Sequence, residues 1–227
     1  MCLVAMRQIP LAIAPPPESS FDSYLAGANH AALEHLRQLA PHSAPVYLWG
    51  PTGSGKTHLL RALALAWQAR GERVAWFASG VGLPWTFDER AALVVLDDCD
   101  AYDAARQQAA FALFVQATAA AIAIVSAGAL PPVDLSLRED LRTRLGWGLV
   151  FALQPLAESQ VRAVLRREAD RRGIRLADEV LDHLLTRFAR DLTRLMALLD
   201  RLDEFALASQ RAVTVPLLKK MFEEEGP

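Results

Sequence analysis

The sequence predicts an α/β protein: a doubly wound parallel sheet followed by a small all-helical domain. Three observations predict it. Short apolar runs alternate with amphipathic stretches between Val46 and Leu153. A glycine-rich turn, Gly50-Pro51-Thr52-Gly53-Ser54-Gly55-Lys56-Thr57, stands where the first of those runs meets the first long helical pattern. After Pro155 the strand-like runs stop and only helical periodicity remains. Near-continuous apolar strands separated by helices indicate a parallel sheet covered on both faces, and short crossovers between them make a doubly wound domain.

The first twenty residues read as an arm ending in the stiff, non-helical stretch Pro15-Pro16-Pro17-Glu18-Ser19-Ser20. A helix is expected from about Asn29 to Leu39, broken by the proline-flanked segment 41–45. Strand Val46–Trp49, helix Lys56–Arg70, strand Val74–Ala78 and strand Ala92–Asp97 follow. Helix Asp103–Ala120, strand Ala121–Ser126, helix Leu137–Leu145 and a last strand Leu149–Leu153 complete the alternation. Beyond Pro155, residues Ala157–Arg172, Ala177–Phe188, Asp191–Ser209 and Val215–Glu223 read as helices, with Gly173 stopping the first. The expected domains are an arm (1–20), an α/β nucleotide-binding domain (21–155) and a helical domain (156–227).

Composition narrows the class of function. About half of the 227 residues are apolar (52%), enough for a sizeable core. Acidic and basic residues nearly balance at a net charge of -2, which argues against a bare, non-specific grip on nucleic acid and leaves open a local basic patch or DNA met only indirectly. Cys2 and Cys99 form no ligand cluster and suit a reduced, intracellular protein. Arg7, Gln8 and Pro10 interrupt the apolar start, so it does not read as a signal peptide, and no apolar run is long enough to span a membrane.

The turn from Gly50 to Thr57 has the G-x-x-x-x-G-K-[ST] pattern. Between a strand and a helix N-terminus it aims backbone N–H groups at one point, with the helix dipole behind them. Gly50, Pro51, Thr52, Gly53, Ser54 and Gly55 would wrap the phosphates of ATP or ADP, with His58 following. Lys56 would reach the outer phosphates and the Thr57 hydroxyl would ligate Mg²⁺. The strand Leu93-Val94-Val95-Leu96 ends in Asp97-Asp98. Asp97 would complete the Mg²⁺ shell, directly or through water, and Asp98 would face the terminal phosphate and polarise the attacking water.

A sheet domain followed by a helical bundle, with these acids, resembles the AAA+ ATPases, and more narrowly the ATPase part of the DnaA family. Phe21-Asp22-Ser23-Tyr24-Leu25-Ala26-Gly27-Ala28-Asn29 is similar to that family's box around the adenine, which implies roles for Phe21, Tyr24, Gly27 and Asn29. Leu141-Arg142-Thr143-Arg144-Leu145-Gly146-Trp147-Gly148 is similar to its arginine-finger segment, placing the finger at Arg144. Residues Asp200 to Lys219 are similar to the end of its lid. The resemblance covers the ATPase part, and the DNA-binding domain that follows in a full initiator is not expected here. That layout resembles the Hda branch, the regulatory inactivators of DnaA, which carry an N-terminal peptide that docks on the DNA polymerase sliding clamp (its beta subunit). Gln8-Ile9-Pro10-Leu11-Ala12-Ile13 matches the outline of that peptide through Gln8, Leu11 and Ile13. Initiation at Met6 would put this peptide at the very terminus.

Two family positions depart from the pattern. Where the sensor after the fourth strand usually ends in Asp, Ser126-Ala127-Gly128-Ala129 offers only Ser126. The lid arginine that contacts nucleotide aligns with Thr193, flanked by Arg190 and Arg194. Both departures weaken reading of the γ-phosphate and suit a protein tuned to hold ADP or to hydrolyse ATP poorly. The resemblance implies a regulator in the bacterial cytoplasm that docks on the clamp and stimulates hydrolysis of DnaA-bound ATP through Arg144; assembly with further copies of itself is compatible with that layout. The alternative is a DnaA-like DNA-positioning adaptor or helicase loader with its own ATPase cycle.

Overall fold

A computed structural model describes residues 19–187 and 192–225, which divide into two compact units at Pro155 and Leu156. The first unit is built on a five-stranded parallel sheet of order β2-β3-β4-β1-β5, with β1 Val46–Trp49, β2 Val74–Ala78, β3 Leu93–Asp97, β4 Ala123–Gly128 and β5 Leu149–Ala152. Helices α1 His30–Arg37, α2 Lys56–Ala69, α3 Ala104–Ala119 and α4 Glu139–Leu145 cover it.

The strands' alternation decides which helix each face receives. Val46, Leu48, Leu93, Val95, Ala123, Val125 and Ala127 join Leu59, Leu60 and Leu63 of α2 and Leu33 and Leu36 of α1 in one core. Tyr47, Val94, Leu96 and Ile124 point the other way, into a second core with Leu113 and Phe114 of α3 and Leu141 and Leu145 of α4. The central strands are therefore buried on both sides, as their unbroken apolar sequence requires.

Element ends were set by local chemistry that the periodicity does not carry. Asp103 caps α3 from outside, its carboxylate accepting the Arg106 backbone N–H at 2.8 Å. The fourth strand lies two residues later than the expected Ala121–Ser126. Ala121 takes a left-handed φ of 54° and the Ile122 N–H returns to the Ala117 carbonyl, closing the helix before the strand can start. The helix expected from Asn29 begins at His30, because Gly27–Asn29 form a separate 3-10 turn. Between β2 and β3 the chain crosses without a helix. Trp85 anchors that loop against Phe77 and Tyr102, with ring centroids 5.3 and 5.2 Å away.

The second unit contains α5 Glu158–Arg171, α6 Asp178–Arg187, α7 Leu192–Ser209 and α8 Val215–Glu225. Leu195, Leu198, Leu199 and Leu202 give α7 one apolar stripe, which packs with Val161, Leu165, Leu181, Leu184, Leu218 and Met221. Gly173, at φ 73°, ends α5. Within this unit Arg172 pairs with Glu168 at 2.8 Å where both side chains are largely covered, and also with Asp200. Among the described residues no helix is long and apolar enough to cross a membrane.

Candidate nucleotide site

β1 delivers the glycine-rich turn at the carboxyl end of the sheet, and α2 begins at Lys56 behind Gly55, whose φ of 91° suits glycine. The ring of Tyr24 lies on that turn: a Cβ on Gly55 would sit 2.6 Å from Tyr24 Cε2. The Tyr24 hydroxyl donates to the Ser54 carbonyl at 3.3 Å and accepts from Asn29 Nδ2 at 3.0 Å. Asn29 is buried, and its amide also makes a two-way bond with the backbone of Gln154, 2.8 Å in each direction. Phe21 packs beside it, with Arg37 over its ring, and Gly27 opens the 3-10 turn. Tyr24 and Asn29 thus link the phosphate loop to the end of β5, while Phe21 and Gly27 make no contact with that loop among the described interactions.

Lys56 folds back across the turn, its Nζ donating to the Gly50 and Pro51 carbonyls at 2.7 and 3.1 Å. Thr57 Oγ1 donates to Asp97 Oδ2 at 2.9 Å, so the hydroxyl and carboxylate expected to share a Mg²⁺ ion already touch. Ser54 is buried, and its Oγ has no partner among the described residues. An orphaned hydroxyl inside a glycine turn, a lysine bonded only to loop carbonyls and a Thr–Asp pair at a helix N-terminus fit a Mg²⁺–nucleotide. Such a ligand would supply a polarised phosphoanhydride. The chain's own groups would orient its phosphates and give Lys56 new acceptors.

Burial sets the electrostatics here. It pushes the Asp97 carboxyl above the ordinary carboxylate range, reinforced by Asp98 and opposed by the Thr57 hydrogen bond. It pulls the Lys56 ammonium below the lysine range, opposed by Asp100, Asp97 and Asp98. His58 is lowered by burial as well; its Nε2 lies 3.1 Å from the Ser20 carbonyl and 3.2 Å from Ser23 Oγ. Asp98, in a left-handed conformation (φ 55°), is turned out to solvent, while its N–H donates to Asp97 Oδ1 at 3.0 Å.

The sensor positions are placed differently from expectation. Ser126 lies inside β4, fully buried, with its hydroxyl donated to the Val46 carbonyl at 3.3 Å, and does not reach the strand end. At the end itself, Gly128 leaves no room for the family's side chain, since a Cβ there would stand 2.2 Å from the Tyr47 hydroxyl. Tyr47 is held there by donating to the Leu130 carbonyl at 2.9 Å. Sequence reasoning missed Asp100, whose Oδ1 accepts the Ala129 N–H at 2.7 Å beside that glycine. The spacing Asp97-Asp98-Cys99-Asp100 was its only signal. Arg194 belongs to α7 in the second unit; Arg190 lies outside the described residues, as do Gln8, Leu11 and Ile13.

Arg144 lies far from this cradle along the strands. It precedes β5 by a few residues, and β5 runs parallel to β1 in the register Val46 to Leu149. Gly148 confirms the level, packing so tightly on Pro45 that a Cβ would fall 1.8 Å from the Pro45 oxygen. Arg144 therefore stands at the amino ends of strands whose carboxyl ends hold Gly50 to Thr57. Its guanidinium lies 3.8 Å from the centroid of the exposed Trp147 ring and makes no ion pair among the described residues. Asp140 pairs with Arg138 instead, at 2.7 Å. Phe111, Arg138, Asp140 and Thr143 share with them an open groove of about 700 Å³.

Residues 17–80 match the family model of the bacterial DnaA ATPase domain, and residues 158–222 that of the lid domain of Hda. Both units of the chain thus resemble parts of DnaA-like AAA+ proteins. The fold agrees. Domain III of the Thermotoga maritima initiator DnaA superposes with a TM-score of 0.75 at 22% identity, over 93% of this chain and 98% of that one. AMPPCP-bound DnaA from Aquifex aeolicus gives 0.65 at 20% identity, over 82% and 65%. A variant of RuvB from Thermotoga maritima gives 0.68 at 17% identity, over 92% and 74%. The sheet with its flanking helices and the helical second unit of this DnaA-like protein are thus the two parts of an AAA+ module.

Proposed function

We propose that this chain is an Hda-type regulator of chromosomal replication initiation, which holds ADP or ATP with Mg²⁺ in its own P-loop and uses Arg144 on the ATP of DnaA. The position of Arg144 carries the reading. At the opposite strand ends from Lys56 it is separated from its own cradle by roughly 10 Å of strand, three rises of β1. An arginine so placed, with no carboxylate partner among the described residues and resting on an exposed Trp147, suits a neighbour's active site, where it would stabilise charge developing on the transferred phosphoryl group. The match of the lid to that of Hda supports the same assignment. In its own site Asp98 and Lys56 remain the catalytic candidates, with weak intrinsic turnover expected, since neither Ser126 nor Gly128 offers a polar group at the end of β4.

The arm would supply the second contact. Gln8, Leu11 and Ile13 would dock on the beta sliding clamp, raising the protein's local concentration on replicated DNA. Labelled ATP on DnaA, clamp loaded on DNA, and this protein with or without Arg144→Ala test the proposal. Equal stimulation by the alanine variant would remove the finger assignment. A clamp pull-down comparing wild type with the double variant Gln8→Ala/Leu11→Ala tests the tether. Single-stranded DNA binding without clamp binding would favour the adaptor or loader reading instead.

A further inference from the structure

The carboxylate of Asp100 has no role in the scheme above, yet it is built into the site. It is carried on the short 3-10 turn Cys99–Ala101 that follows β3, and its Oδ1 is fixed by the Ala129 N–H at 2.7 Å. The same oxygen lies 3.2 Å from where a Cβ on Gly128 would be. Gly128 pairs in register with Trp49, the residue before Gly50, so Asp100 stands beside the strand end from which the phosphate loop springs. The Tyr47 hydroxyl fills the space in which a side chain at Gly128 would sit, and its proton is already donated to the Leu130 carbonyl. Beside that committed hydroxyl stands the Asp100 carboxylate, a negative charge. Of the carboxylates around Lys56, Asp100 exerts the largest electrostatic influence on its ammonium, ahead of Asp97 and Asp98.

We propose that Asp100 is a specificity-determining residue that disfavours a nucleoside triphosphate relative to a diphosphate, by setting a fixed carboxylate at the β4 end where the terminal phosphate would come closest to the sheet. The inference rests on the nucleotide reading of the P-loop. Asp100 is exposed at this rim, and like charges held a few ångströms apart still repel there, with water screening part of the effect. The diphosphate lacks the group that meets the carboxylate, so the penalty falls on the triphosphate alone. The competing role, a pin for the end of β4, would affect both nucleotides equally.

Asp100→Asn separates the two roles, because the amide oxygen still accepts from the Ala129 N–H while the charge is gone. Titration calorimetry with Mg²⁺–ADP and with a Mg²⁺-bound non-hydrolysable ATP analogue reads the result. The expected outcome is a gain of roughly tenfold in affinity for the triphosphate analogue, with ADP affinity changed less than about threefold. Asp100→Glu, which keeps the charge, is expected to retain the wild-type ratio. Equal shifts for both nucleotides, no shift in Asp100→Asn, or the same shift in both variants would overturn the proposal. Wild-type protein that binds neither nucleotide would instead overturn the reading of the P-loop, and this inference with it.

Discussion

At the carboxyl ends of β1 and β3, almost every polar group is tied to another. Lys56 holds two carbonyls, Thr57 holds Asp97, Tyr24 holds Ser54, and Asn29 holds both Tyr24 and Gln154. At the amino ends of β1 and β5 the arrangement is sparse. Arg144 rests on an exposed Trp147, and the next residues, Leu149 and Val150, are exposed as well. Packing there serves to place the segment, through Gly148 on Pro45, and leaves its side chains open. The first region is organised to enclose a small ligand. The second sets the Arg144 guanidinium on an exposed ring and encloses nothing.

If these two ends work independently, substitutions should separate them. The largest effect is expected from Arg144→Ala, which should cut stimulation of DnaA-bound ATP hydrolysis by roughly 10³-fold or more while leaving nucleotide affinity of this chain unchanged. Phosphate-release assays and calorimetry on the same preparation check both halves. A fall in nucleotide affinity would break the separation. Gly148→Ala should lower stability by about 3 kcal/mol, since its Cβ would overlap the Pro45 carbonyl, and should reduce stimulation through misplacement of Arg144; denaturant unfolding measures the first. Asn29→Ala should cost about 1 kcal/mol by removing two part-buried hydrogen bonds to the Gln154 backbone, and should weaken nucleotide binding without altering an Arg144-dependent step once nucleotide saturates.

Asp97→Asn should act in the opposite direction on stability. Burial raises the Asp97 pKa, so in the nucleotide-free fold this group contributes stability below the ordinary carboxylate range and loses it as pH rises through the raised value. At pH 7 the neutral amide should therefore raise the melting temperature of nucleotide-free protein by roughly 2 to 4 °C, the shift that about 1 kcal/mol gives in a chain of this size. The difference should shrink as pH falls toward 4, and Mg²⁺-dependent nucleotide binding should be lost at every pH. Thermal melts across that range, with and without Mg²⁺–ADP, check each part. A stability gain without loss of binding would remove Asp97 from the ion's shell.

Strands β1 and β2 were legible to the residue because apolar runs bounded by glycine, proline and charge leave little choice of ends. The phosphate loop was equally legible, since it is local: its residues are contiguous and its chemistry follows from their order. What the sequence did not show is held by contacts distant along the chain. Ser126 looked available because it closes an apolar run, yet β4 continues to Gly128 and turns that hydroxyl onto the Val46 carbonyl. The small residue at Gly128 looked like a loss, and it is a steric requirement imposed by Tyr47. Asn29 looked like part of a ligand box, and its amide is engaged with Gln154, 125 residues away. Asp100 emerged only when β3 and β4 were placed side by side.

The attachment of Ser20 carries one more consequence. Its carbonyl meets His58 one residue after Thr57, and Ser23 bonds the same imidazole. The chain that enters the fold from upstream is thus moored to the first turn of α2, the turn that presents Thr57 toward Asp97. A displacement of Ser20 would therefore reach the Thr57–Asp97 pair within a single helical turn, which makes the phosphate loop sensitive to where the chain enters the fold.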